Sequence, residues 1–184
     1  MSTADSTLID VRQIEPDARS SIVVTTTNID GQTRTLGRYG DSVWILPGGT
    51  TNMPDSVFRL NFERVPDAFR NQMRAMVFRY MRRGRTGGKR VGHRQVARFF
   101  DNAIQFVTFL LSIRVSSLAA ATPFACALYV HDRKKYRKQD GSARSPDFLR
   151  TLFDVVEALS ELSQATDDPM PSFPWPGSSA RRQA

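Results

Sequence analysis

The sequence predicts a mainly α fold, four helices preceded by a small β-hairpin, and three observations carry that expectation. Apolar residues recur at helical spacing in four segments between Asp67 and Leu162. β-prone runs cluster ahead of them, around an Asp30-Gly31 pair of the kind that turns a hairpin. A stretch from Ala68 to Phe100 holds ten Arg or Lys and no Asp or Glu. That charge pattern fits a polyanion, because a merely solvated face normally mixes both signs.

The 184 residues suffice for one domain with tails. A net charge of +8 favours an anionic partner. No apolar run approaches the roughly 20 residues that span a bilayer, so no membrane partner is expected. The start, MSTADSTLIDVRQIE, lacks a basic segment followed by an apolar core, which argues against a secretory signal and for a cytoplasmic, nucleoid-associated protein. The single cysteine, Cys126, excludes an internal disulfide and reads as a small buried hydrophobe among Ala125, Ala127 and Leu128.

In chain order, residues 1–18 are polar and aperiodic, a flexible tail. Residues 19–55 form the hairpin and a loop: Ile22 to Thr27 and Thr33 to Tyr39 flank the turn, and Ser42 to Leu46 is a third run whose Trp44 would anchor it. An isolated hairpin is marginal, so it must dock. Residues 56–164 are helical. Val57, Leu60 and Phe62 lead into a first helix opened by Val65-Pro66 and Asp67. Its core stripe is Phe69, Met73, Met76, Val77 and Tyr80, with Phe78 outside it as a second contact surface.

Gly84 to Gly92 is a basic joint. It lacks the spacing of a phosphate loop and follows a helix rather than a strand. The second helix is the most clearly amphipathic. Val96, Phe99, Phe100, Ala103, Ile104, Phe106, Val107, Leu110, Leu111 and Ile113 take one half, and Arg94, Arg98, Asp101, Gln105 and Thr108 the other. Thr122-Pro123 opens a third helix to about Lys135, where Phe124, Leu128 and His131 share a packing face. Ser145-Pro146-Asp147 opens the fourth, whose stripe is Phe148, Leu149, Leu152, Phe153, Val156, Leu159 and Leu162. Its outer face is acidic, with six acids against Arg150 alone in residues 145–168. Residues 165–184 read as a proline-rich linker or tail, with Phe173 and Trp175 available to clip it back.

The cations of the candidate interface are Arg82, Arg83, Arg85, Lys89, Arg90, His93, Arg94 and Arg98. A second cluster, Lys134, Lys135, Arg137 and Lys138, surrounds Tyr136. Metal ligation needs clustered Cys, His or acids, and catalysis needs a base beside a nucleophile; neither pattern occurs, so no cofactor, metal or enzymatic activity is expected.

Trp44 and Leu46, the Leu60-x-Phe62 step, a first helix ending in basic residues, and a long helix with the run Ala103 to Leu110 together resemble the core-binding, or SAM-like, domain of tyrosine recombinases. The likeness runs from about Trp44 to Leu162. It implies a four-helix bundle that clamps double-stranded DNA for site-specific recombination and integration, with Arg94 and Arg98 facing the duplex and Lys89 and Arg90 just before them. It also implies self-association on DNA and a C-terminal catalytic domain. That domain's His-x-x-Arg is missing here, since His93 is followed at the third place by Val96 and His131 by Lys134. None of Tyr39, Tyr80, Tyr129 or Tyr136 takes the nucleophile's role. A fragment of a longer recombinase and a stand-alone DNA-binding protein both fit. The competing reading is a helical protein–protein interaction module with a solvated basic face. RNA binding ranks lower, because no aromatic platform on a sheet is present.

Overall fold

A computed structural model describes residues 10–47, 59–85, 91–135 and 141–184. After a 3-10 turn at Val11–Gln13, the chain forms α1 (Pro16–Arg19), β1 (Val23–Ile29), β2 (Gln32–Arg38), β3 (Val43–Ile45) and β4 (Arg59–Asn61). The helices α2 (Asp67–Arg83), α3 (His93–Ser112), α4 (Pro123–Lys135), α5 (Pro146–Ser163) and α6 (Ala180–Gln183) follow. The four long helices dominate, and the strands form two separate two-stranded antiparallel sheets.

The hairpin forms where the sequence places it. Asp30 and Gly31 both take positive φ, 51° and 75°, the left-handed pair that lets two strands meet with their natural twist. Ile29 then faces Gln32 and Asn28 faces Thr33. A register shift between Val23 and Thr26 bends β1 over the helices, and both Val24 and Thr25 are buried.

The third run pairs differently from expectation. Leu60 does not simply lead into a helix: Arg59–Asn61 is a strand, with Leu60 opposite Trp44. Strands of three residues are too short to show an alternating pattern, and this one gains its ladder from a partner far back in the chain. Asn61 then ends it by accepting the Glu63 amide at 2.9 Å, which starts the 3-10 turn Phe62–Arg64.

Trp44 is the anchor. Fully buried, it meets Phe62 edge-on at 4.6 Å, and Phe62 meets Phe100 of α3 at 5.0 Å. The small sheets and the helices therefore share one continuous core. Phe78, expected as a contact surface, is also fully buried: Tyr39 lies edge-on to it at 5.9 Å, and the Arg82 guanidinium covers its ring at 5.2 Å. The first helix is thus enclosed on two sides, by helices through its stripe and by the hairpin through Phe78.

α3 is central. Val96, Phe99, Phe100, Ala103, Phe106, Val107 and Leu110 are buried as expected, but Leu111 is 45% exposed while Phe109 is buried against Tyr129 at 5.3 Å. α4 packs through Cys126 and Tyr129. Its expected packing face does not pack: Phe124 is 72% exposed, and Leu128 and His131 are exposed beside it. α5 starts where Ser145 accepts the Phe148 amide.

The proline-rich segment, expected to extend as a linker, folds back along α5. Met170, Trp175 and Ala180 are buried, whereas Phe173 is 43% exposed. Polar ties hold the return. Asp168 accepts the amides of Leu118 and Ala119 at 2.6 and 2.9 Å, Ser163 Oγ accepts the Met170 amide at 3.0 Å, and Glu157 accepts the Ala180 amide at 2.6 Å. At the other end, residues 1–9 of the expected tail lie outside the described residues, and 10–18 are folded against the domain through Val11, which is buried.

Candidate functional site

The basic residues of the α2–α3 region divide by what the fold does with them. α2 ends at Gly84, whose φ of 73° turns the chain sharply. Arg85 therefore points back at α5. Its Nε donates to Glu161 Oε2 at 3.0 Å, Nη2 donates to the other oxygen, and Glu157 lies 3.7 Å away. The Glu161 hydrogen bond holds the Arg85 guanidinium above its ordinary pKa.

Arg98, one face round on α3, donates to Thr151 Oγ1 of α5 at 3.2 Å. Arg85, Arg98 and Asp154 line one groove between α3 and α5. The outer face of α5, expected as acidic, is partly spent on these contacts: Glu157 is only 9% exposed and serves Arg85 and Ala180.

Arg82 goes the other way. Its Nη2 donates to the Val23 carbonyl at 3.1 Å, tying α2 to β1. His93, the first residue of α3, shares a small cleft of about 150 Å³ with Arg82, Thr25 and Thr26. The start of α3 is set by Gly92, extended at φ −75°, whose amide donates to the Gln95 side chain at 3.1 Å.

Arg83 and Arg94 remain. Both are exposed and neither makes a hydrogen bond or ion pair among the described residues. Lys134 and Lys135 at the end of α4 are exposed in the same way. Lys89, Arg90, Arg137 and Lys138 lie outside the described residues. Arg82, Arg85 and Arg98 are structural ties, and Arg83 and Arg94 bracket the joint as uncommitted cations.

A second concavity went unread in the sequence. It is a cleft of about 380 Å³ where the N-terminal segment, the end of β2, the first half of α2 and the Thr166-Asp167 turn meet. Arg12, Arg19, Tyr39, Gln72, Arg74 and Asp167 line it. Arg74 lies on α2, Arg19 ends α1 and Tyr39 follows β2, so no local spacing in the sequence joins them. Among the described residues no group of three or more His, Cys, Asp or Glu could hold a metal ion, and no helix is long and apolar enough to cross a membrane. No protein-family model, no curated protein and no solved structure matches this chain.

Proposed function

We propose that this chain binds double-stranded DNA through the region between α2 and α3, as the four-helix core-binding part of a recombination or integration system, and performs no catalysis itself. The observation that supports this reading most directly is the pair Arg83 and Arg94: exposed, unpaired among the described residues, and flanking a joint that adds Lys89 and Arg90 in sequence. Unpaired cations beside the amides of a helix start suit phosphate oxygens. The net charge of +8 supplies long-range attraction, and a nucleoid-associated cytoplasmic location accords with such a role.

With Arg82 and Arg85 tied to other elements and the exposed Arg98 hydrogen-bonded to Thr151, Arg83, Lys89, Arg90 and Arg94 would neutralise about four phosphates. The log–log salt slope is then about −4 rather than the −5 or steeper of a wider patch. Fluorescence anisotropy with a labelled duplex at two salt concentrations measures it. Arg83→Glu with Arg94→Glu should weaken binding at least tenfold, while Asp154→Lys should not weaken it. Binding that ignores both salt and these reversals overturns the reading.

One observation favours a protein-interaction module instead: Phe124 and Leu128, one turn apart on α4, are both exposed. In that case Phe124→Ser abolishes self-association or partner retention in size-exclusion chromatography, and Arg94→Glu has no effect.

A further inference from the structure

The cleft between the N-terminal segment and α2 is lined by three guanidinium groups and a single carboxylate, Asp167. Arg12 is already answered. Its Nε and Nη2 hold both Asp10 oxygens, at 3.1 and 2.7 Å to the nearest, its Nη1 reaches the Thr166 carbonyl at 3.4 Å, and Asp167 adds its charge nearby. Arg19 and Arg74 are not. Arg19 spends only Nε, on the Ile14 carbonyl at 2.9 Å, and keeps both terminal nitrogens.

Arg74 is half-buried with its Cζ 5.4 Å above the Phe62 ring. Its one hydrogen bond is a long one, Nη2 to the Asp41 carbonyl at 3.4 Å, and its Nε is buried with no partner among the described residues. Burial pushes its pKa down, the direction expected for a cation deprived of water without full compensation. A partly desolvated cation with a terminal nitrogen to spare calls for an acceptor.

Tyr39 completes the arrangement. The charges of Arg19 and Arg74 both reach its hydroxyl, yet burial prevails and holds it protonated, with a pKa of about 12. It is therefore a neutral donor at physiological pH, and it makes no hydrogen bond among the described residues. Gln72 adds a side-chain amide to the same wall. A space of about 380 Å³ falls near the lower end of the roughly 300–1,000 Å³ typical of small-molecule pockets. Duplex nucleic acid does not fit there.

We infer that this cleft binds a small organic anion, no larger than a nucleoside monophosphate, whose phosphate or carboxylate head lies between Arg19 and Arg74 and accepts a hydrogen bond from Tyr39. Nη1 of Arg74, which makes no hydrogen bond among the described residues, then finds an acceptor, and Asp167 at the wall sets the side from which the negative head is excluded. The inference is independent of DNA binding, because none of these residues belongs to the α2–α3 joint.

Thermal unfolding and calorimetry of the full chain test it, with inorganic phosphate, succinate and adenosine monophosphate as probes and sodium chloride holding ionic strength constant. At least one probe should give a saturable rise in Tm, on the order of 5 °C at a hundredfold excess over Kd. Phosphate against succinate separates the two kinds of head group. Tyr39→Phe, which keeps the ring, and Arg19→Gln should each weaken binding about tenfold, while Arg94→Glu should leave it unchanged. No saturable shift with any probe overturns the inference. So does a shift that survives both variants, or one that Arg94→Glu removes.

Discussion

Arg85 and Glu161, seventy-six residues apart, close a two-pronged ion pair that ties the end of α2 to α5. Arg85 is one of the cations expected at the interface, lying in an acid-free run just past a helix end, and the fold ties it to α5. The two side chains are about a third exposed, 36% and 31%, so solvent screens part of the attraction. Glu161→Gln should therefore lower stability by only about 1 kcal/mol in urea titration. The loss should shrink at 1 M salt, and a double-mutant cycle with Arg85→Ala should recover a coupling of similar size. A coupling near zero would mean that the pair is decorative.

The returning C-terminal segment should behave as part of the domain. Trp175 is 3% exposed and meets Phe153 edge-on at 6.1 Å, so Trp175→Ala opens a large cavity beside α5. The expected cost is about 3 kcal/mol or more, somewhat moderated because the indole nitrogen is buried without a partner among the described residues. Asp168→Ala leaves the Leu118 and Ala119 amides unanswered and should cost about 1–2 kcal/mol. Denaturation midpoints unchanged in both variants would return residues 165–184 to the status of a loose tail.

How much of this was legible follows from how local each signal is. The four long helices and the Asp30-Gly31 turn are written in short-range patterns, periodicity and turn chemistry, and they occur at their expected places. Leu60 opposite Trp44 needs a partner sixteen residues away, and nothing local marks a three-residue strand. Prolines around Trp175 do forbid regular structure, as expected, but they do not forbid packing, and an irregular chain can lay an indole on α5 as well as a helix can. The charged residues were the least legible. Arg83 and Arg85 look alike in sequence, and only the turn at Gly84 sends one to solvent and the other to Glu161.

Gly40 tests the wall of the anion cleft. A Cβ added there would stand 2.8 Å from the Ser20 Cβ and 3.1 Å from both its Cα and its carbonyl oxygen, and backbone cannot yield as a side-chain tip can. The Gly40 amide also donates to that carbonyl at 3.0 Å, so the two strands of chain are locked together. Gly40→Ala should cost about 1–3 kcal/mol and push the segment bearing Arg19 outward. Faster amide exchange from Arg19 to Ile22, without change in α3, is the expected signature. Wild-type exchange there would show that the contact carries no load.

Alkaline unfolding should begin well before the arginines lose charge. Burial holds the hydroxyls of Tyr39 and Tyr129 and the thiol of Cys126 protonated up to about 12. In the unfolded chain the same groups ionise near about 10 for tyrosine and about 8.5 for cysteine. Below those values both states are protonated and stability is intact. Above them the unfolded chain has released protons that the folded chain still holds, so stability falls as pH rises and levels off past about pH 12. Urea titrations at pH 7, 9 and 11 should show that decline, and Cys126→Ala should flatten its first part, between about pH 8.5 and 10. Tyrosinate absorbance gives the direct check: Tyr39 and Tyr129 should ionise only as the fold is lost, and Tyr80, which burial also pushes up, later than a free tyrosine. A single transition of all four near pH 10, with the helical circular dichroism intact, would contradict the burial of Tyr39 and Tyr129.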